Sequence, residues 1–563
     1  MKTPWTDSVS RDCPLADYPR PQMVRGNWFC LNGVWDYAIT ESACQPVCFD
    51  GQILVPFSPE SELSGVERSL KPDEYLWYSR DVRIPYDFEG RNILLHFGAV
   101  DNEAEIYINS ERIAEHIGGY LPFSIDLGKY APETLINIKV RVKDNTDTGY
   151  HSRGKQKTKH GGIWYTPQSG IWQTVWMEAV PDTHIRSLKI LPHFDDGEVE
   201  ISSDVQGNEA AFAQFDGKEY QLPALIPVQG FEAWSPENPK LYDFSVRCGE
   251  DTVQSYFAMR KFSVDKDDRG IKRFFLNNKP YFHNGLLDQG YWSDGMYTAP
   301  TDEALIFDIQ TAKDMGFNVL RKHIKVEPLR WYYHCDRIGM IVWQDMVNGG
   351  EKYDWALVTL PLFTDIHLDD HAYKRFARDS IDGRKEYLSE LKEMVEHLYN
   401  CPSIGLWVPF NEGWGQFDAA AVYSYVKSLD KSRIIDHASG WHDQGAGDAR
   451  SWHVYFRAFK YKADKRKRAV ILSEFGGYSL PLEGHCQTKK KFGYSFYKTA
   501  DELRTALEKL YSEQIKPAYK LGLAAAIYTE LTDVEEEVNG FITYDRQVVK
   551  LPVEEVRRII SVE

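Results

Sequence analysis

The chain has no cysteines paired at metal-binding spacing, no apolar stretch long enough to cross a bilayer, and no excess of positive charge. Each absence removes a class of function. The eight cysteines, Cys13, Cys30, Cys44, Cys48, Cys248, Cys335, Cys401 and Cys486, are scattered, and only Cys44 and Cys48 lie close together. Nothing there resembles a paired zinc motif, and free thiols in a reducing compartment are expected. No apolar run approaches the ~20 residues that a membrane helix needs. The formal charge of −17 over 563 residues repels nucleic acid and anionic membranes, so neither is expected as a partner. The first residues, MKTPWTDSVSRDCPL, lack a basic segment followed by an apolar one, and a cytoplasmic location is expected. No short repeat and no low-complexity linker stands out.

Aromatic residues are plentiful, with 16 Trp and 33 Tyr. Flat amphipathic rings suit the faces of sugars, and they also build β-sandwich cores. The length exceeds what one hydrophobic core supports, so about three or four domains are expected.

The first third reads as β. In INIKVRVK, residues 136–143, Ile136, Ile138, Val140 and Val142 alternate with polar residues, the pattern of a half-buried antiparallel strand. NILLHFGAV and AEIYINSERI read as further strands, the second turning at Asn109-Ser110. Short strands separated by Gly, Pro, Asn and Asp predict a jelly-roll sandwich over 1–182. A second β segment, 183–265, has the length of one immunoglobulin-like sandwich. From 266 to 563 short apolar runs alternate with amphipathic helices. Leu388, Leu391, Val395 and Leu398 share one helix face, as do Leu503, Leu507 and Leu510. About eight strand candidates over roughly 300 residues match the size of a (β/α)8 barrel. The basic run KYKADKRKR at 460–468 reads as a solvated loop or helix face.

Chemistry in such a barrel sits where strands end at the C-terminal face. Two candidate strands end on glutamate: IGLWVPFNEGWG places Glu412 after the fourth, and AVILSEFGG places Glu474 at the seventh. These ends lie nearly opposite each other. Two facing carboxylates are what glycoside hydrolysis requires, one to protonate the leaving oxygen and one to attack or to activate water. A single glutamate at a strand end is as often structural; two that face each other among aromatics favour catalysis.

These motifs resemble glycoside hydrolase family 2, which includes β-galactosidases, β-glucuronidases and β-mannosidases. GGIWYTPQSGIWQTVWMEAV at 161–180 is similar to the end of the family's jelly roll, WSPENPKLYDFSV at 234–246 to its immunoglobulin-like domain, and GFNVLRKHIKVEP at 316–328 to the second barrel strand with its Arg and His, here spaced as Arg321-x-His323. The resemblance implies a retaining exo-glycosidase with Glu474 as nucleophile and Glu412 as acid/base, and a glycoside or oligosaccharide as its binding partner. A retaining pair sits about 5–5.5 Å apart. Partial burial among Trp407, Phe410 and Trp414 would raise the pKa of Glu412, and Arg321 is the candidate charge partner of Glu474. Asn411 would bind the sugar 2-hydroxyl, and His323 either another hydroxyl or a neighbouring side chain.

Asp345 ends MIVWQDM, as a substrate ligand or a helix cap. His453 and Tyr455 either face the site or pack beneath it, and His437 is a further candidate. Tyr528 and Glu530 end the last strand, where the family often places an aromatic platform; packing is the alternative. Trp164 and Tyr165 either reach from the jelly roll into the barrel mouth or stay in its core. No organic cofactor is implied. Some members bind Mg2+ beside the acid/base, but no tight ligand spacing is visible, and HLDDHAY at 367–373 is the best metal-like cluster. A homo-oligomer is in keeping with the family.

Three departures bear on the substrate. Many members carry Asn-x-His after the first barrel strand; here the segment is HNGLLDQGYW, with Asp288 as a candidate substrate ligand. Many carry Asp six residues before the glycine of the jelly-roll Ser-Gly-Ile; here Trp164 stands six before Gly170. β-Glucuronidases hold the substrate carboxylate with Asn-x-Lys after the last strand; here EEEVNGFITYDR has no such lysine. A buried sugar carboxylate without a cation is costly, so a neutral sugar is expected. A β-galactoside comes first, and a β-mannoside, β-glucuronide or arabinoside follows. The reading from another class is a non-catalytic carbohydrate-binding protein, which commonly loses one carboxylate; this chain keeps both.

Overall fold

The computed structural model describes residues 1–364 and 366–562. The jelly roll packs a six-stranded antiparallel sheet on a four-stranded one. Its strand Leu135–Lys143 lies between Tyr75–Arg83 and Glu103–Ile108, and Ile136, Ile138, Val140 and Val142 are fully buried, as their alternation requires. The hairpin Glu103–Ile108/Glu111–Ile117 turns at Asn109 and Ser110, both with positive φ, the backbone that a tight two-residue turn needs. A second sandwich follows, a three-stranded sheet against a four-stranded one, spanning His184–His193 to Asp251–Phe257. Its core includes Ile190, Val199, Phe244, Val246 and Phe257.

A small sheet, Phe262–Lys266 with Lys272–Leu276 and Lys279–Pro280, then closes the floor of the barrel. Phe262, Phe274 and Leu276 pack against Val319, Trp343 and Ile471 from the barrel interior. With its lower half filled by side chains, the barrel leaves only its upper mouth for chemistry.

The eight barrel strands are, in chain order, His283–Asp288, Val319–Lys322, Ile341–Asp345, Ile404–Val408, Ile434–Ile435, Ala449–Val454, Ala469–Gly476 and Leu523–Thr529. All recorded pairings are parallel. The fifth and sixth strands are joined through the Asp448 amide, which donates to the Ile435 carbonyl at 2.9 Å. Helices pack outside, with starts and stops that the sequence marks. Thr301 and Thr499 cap Asp302–Asp314 and Ala500–Leu510, and Gly339, in the left-handed region, ends Leu329–Ile338. The predicted apolar face of Ile381–His397 is buried at Leu391 and Val395, with Leu398 just beyond it, and Leu388 is half-buried. Segment 460–468 is an irregular loop. No helix among the described residues is long and apolar enough to cross a membrane.

Candidate active site

The period-two alternation of a strand decides what enters the mouth. On the second strand Arg321 points inward, while the next residue, Lys322, points outward over the Trp331 ring. Arg321 is fully buried and is the hub of the site. Its guanidinium donates to both oxygens of Asp345 at 3.0 Å, to Glu474 Oε1 at 3.0 Å and to Asn411 Oδ1 at 2.8 Å. A planar fork with five donors is the side chain that can hold three strand ends in one plane. His323 donates from Nδ1 to Asp345 Oδ2 at 2.9 Å; burial holds this imidazole well below its usual pKa, so it is neutral and keeps Nε2 as an acceptor.

Glu412 and Glu474 meet across the mouth. With His453, they place one ligand atom each within 4.8 Å of one another. Glu412 sits in the left-handed region at φ +52°, and its amide donates to the Ser439 carbonyl at 3.0 Å. A non-glycine residue in this strained conformation is held by its surroundings. The next residue is Gly413, where a Cβ would lie 2.5 Å from the His442 ring.

The two carboxyls are in unlike environments. Burial pushes Glu412 up to about 8. Burial, with the neighbouring Glu412, also pushes Glu474 up, but His453, the Arg321 guanidinium and the Tyr455 hydroxyl, which donates to Glu474 Oε2, pull it back. Glu412 accepts from neither, so of the two it is Glu412 whose protonated form the surroundings favour.

The hydrogen-bond chain beyond Glu412 leads to the same placement. Ser473 Oγ donates to the Trp452 carbonyl and Ser439 Oγ donates to Ser473 Oγ, so Ser439 accepts from His453 Nε2 at 3.2 Å. His453, held by burial at a pKa of about 4, then turns an unprotonated Nδ1 to Glu412 Oε1 at 2.7 Å. That contact is a hydrogen bond only if Glu412 carries the proton.

Glu412, Glu474, Arg321, Asn411, His323, Asp345, His453 and Tyr455 are therefore brought together. Trp164 reaches the mouth, its ring 5.1 Å from Trp414 with the Lys157 ammonium over it. Three candidates lie elsewhere. Asp288 bonds the outward-pointing Lys322 at 2.7 Å and the Gly290 amide at 2.9 Å, under the helices. Its neighbour Gln289 faces the mouth and donates to Glu530 at 2.8 Å. Tyr528 also points outward, against Phe475 and Phe541, and accepts from the Tyr478 amide; the last strand offers no aromatic platform there. His437 pairs with Asp443 at 3.2 Å outside the site.

The sequence reading missed Lys155, Glu537 and Tyr494. Tyr494 stacks on Tyr455 with centroids 3.9 Å apart. None of the three ends a barrel strand, so strand-end logic could not find them.

A cleft of about 670 Å³ opens above the pair, lined by Trp164, Tyr353, Trp414, Trp441, Phe456 and Tyr494 among others. Of the two facing carboxyls it is lined by Glu412, while Glu474 lies deeper. The donor set Glu412–His453–Glu474 does not fit an oxygen-seeking Mg2+, which prefers near-octahedral oxygen ligands and water, since its one imidazole nitrogen is taken by Glu412. The Asp369–Asp370–His371 cluster is largely exposed, and its buried member, Asp370, bonds Gln416 and the Ala419 amide.

This architecture, a jelly roll and a second sandwich ahead of a (β/α)8 barrel with two facing glutamates, defines a class of carbohydrate-active proteins. Residues 269–519 match the family described as "Glycosyl hydrolases family 2, TIM barrel domain", and residues 68–181 match "Glycosyl hydrolases family 2, sugar binding domain". The chain belongs to glycoside hydrolase family 2.

A β-galactosidase of Thermoanaerobacter pseudethanolicus is 23% identical over 387 residues, covering 63% of this chain and 47% of that protein. A β-glucuronidase of Streptococcus agalactiae is 20% identical over 571 residues, 88% of this chain and 91% of that one. The match thus spans about half the length of the first of these curated relatives and nearly all of the second. Among solved structures, a β-D-glucuronidase of Dictyoglomus thermophilum superposes with a TM-score of 0.75 at 18% identity, covering 96% of this chain and 98% of its own. A β-galacturonidase of Eisenbergiella tayi superposes at 0.72 and 17%, covering 96% and 99%. These likenesses establish the fold.

Proposed function

We propose that the protein is a retaining exo-acting β-glycosidase that hydrolyses terminal β-glycosides of a neutral sugar. The observation that carries this reading is the carboxyl pair, within 4.8 Å through its oxygens and unlike in environment. An inverting pair would be about 6.5–9.5 Å apart to hold a water between them. Glu474, held by Arg321 and Tyr455, attacks the anomeric carbon. Glu412, which lines the outer cleft where a leaving group sits, gives its proton to the departing oxygen. The glycosyl–Glu474 ester is then opened by a water from which Glu412, now a carboxylate, takes a proton. Asn411 keeps Oδ1 on Arg321, and its Nδ2 is buried without a partner among the described residues, free to donate to the sugar 2-hydroxyl.

The names of the relatives divide between β-galactosidase and β-glucuronidase, and a β-galactoside is the first substrate to assay. A panel of α- and β-linked aryl glycosides, run with wild type and Glu474→Ala, tests the reading. Cleavage of one β-glycoside by the wild type alone supports it; turnover that survives in Glu474→Ala refutes it. Silence of the wild type on every glycoside would favour the carbohydrate-binding alternative.

A further inference from the structure

The mouth of the barrel holds a lysine that comes from another domain. Lys155 lies in the jelly-roll loop RGKQK, 153–157, and its carbonyl accepts from the Tyr165 amide at 2.9 Å. It is 5% exposed. Its ammonium lies 4.0 Å from Glu537 Oε2 and over the Tyr165 ring, and among the described residues it has no hydrogen-bond acceptor. The ammonium makes no hydrogen bond to the described residues, so its three donors are open to water or to the oxygens of a ligand in the mouth.

The acceptors beside it come from the loop after the last strand. Glu537 takes hydrogen bonds from Asn539 Nδ2 at 3.1 Å and the Tyr165 hydroxyl at 2.5 Å. Glu530 is fully buried, accepts from Gln289 on Oε2, and among the described residues has no partner for Oε1. Both lie close to the reacting pair: Glu530 follows Thr529, whose hydroxyl is 3.1 Å from the Tyr455 hydroxyl that bonds Glu474, and the Glu530 amide donates at 3.3 Å to the carbonyl of Asn539, two residues after Glu537.

Resting on the glycosidase reading above, we infer that Lys155, Glu537 and Glu530 form the part of the sugar site that reads a pair of neighbouring hydroxyls. The ammonium donates to a hydroxyl oxygen, and the carboxyl oxygens accept the hydroxyl protons. This pole also selects against sugar acids. Glu537 already balances the Lys155 charge, so a uronate would add an uncompensated buried carboxylate where a neutral sugar adds none. The absent Asn-x-Lys lysine is thus replaced by a cation from a different domain, but one whose charge is already matched.

The test is binding of free galactose, glucose, mannose, galacturonate and glucuronate, followed by tryptophan fluorescence, which needs no turnover. Wild type, Lys155→Met and Glu537→Gln are compared, with aryl glycoside kinetics alongside. Wild type should bind a neutral sugar more tightly than its uronate, and Lys155→Met should weaken the neutral sugar about tenfold or more. Glu537→Gln should shift the ratio toward the uronate, because it leaves the ammonium unbalanced. The inference is overturned if wild type prefers a uronate and Lys155→Met abolishes that preference, if neither substitution changes binding, or if no sugar binds. The expected binding with no hydrolysis of any glycoside would refute the glycosidase reading and leave this one standing.

Discussion

Replacing Glu412 by glutamine should cost activity and increase stability, and both effects have one cause. Burial lifts this carboxyl from its ordinary 4.5 to about 8. Between those values the folded protein keeps a proton that the unfolded chain has released. Stability therefore falls as pH rises through that window, by about 1.4 kcal/mol per pH unit. The penalty is near zero at pH 4.5, about 3 kcal/mol at pH 7 and about 5 kcal/mol above pH 8. Glutamine does not titrate, and its amide can still donate to His453 Nδ1, so Glu412→Gln should be more stable than wild type by roughly that amount. Denaturant unfolding at pH 5, 6, 7 and 7.5, following the barrel's transition, reads the gap directly. A gap that is absent at pH 7, or the same at pH 5 and 7.5, would refute the account of Glu412 as a buried, protonated acid. In kinetics the same carboxyl sets the alkaline limb: wild-type kcat/KM should fall above pH ~8 as the acid is lost. Glu412→Gln should lack that limb and lose about 10²–10⁴-fold on poor leaving groups, with far less loss on dinitrophenyl glycosides, which need no acid to depart.

Tyr455→Phe removes a donor to the ionised Glu474, and a hydrogen bond to a charged group contributes about 1.5–3 kcal/mol. The kcat should fall about 10- to 100-fold, and an unchanged value would remove Tyr455 from the mechanism. Trp164→Ala takes away an aromatic wall of the cleft without touching the carboxyls, so KM should rise about three- to tenfold while kcat changes little; a loss confined to kcat would contradict this placement. Tyr528→Phe should cost about 1 kcal/mol of stability through its lost hydrogen bond and leave kcat/KM unchanged, whereas a kinetic effect would return Tyr528 to the sugar site.

The residues that local pattern could find were those at the ends of strongly apolar strands. Glu412 and Glu474 interrupt runs that otherwise read as buried, and strand count placed them opposite each other; both features survive because strand period and barrel order are local and additive. Within that scheme an error of one residue reverses a side chain, and this is why Asp288 was chosen where Gln289 faces the mouth. Tyr528 failed for the same reason, lying one residue from the inward-pointing Thr529, whose hydroxyl lies 3.1 Å from the Tyr455 hydroxyl. For Glu530 a site role and a packing role stand level in the sequence, because its orphaned oxygen follows only from the completed fold.

What the sequence determined by itself was the order of the three architectures, the faces of their strands and helices, and the pair of carboxyls, because each follows from periodicity and chain order. Only the tertiary structure decided how deeply each glutamate is buried and that the Arg321 and Tyr455 donors reach Glu474 and not Glu412, since these are properties of the assembled mouth. Lys155 belongs with these: it is separated by more than three hundred residues from Glu537, and no local pattern carries the packing of one domain against another.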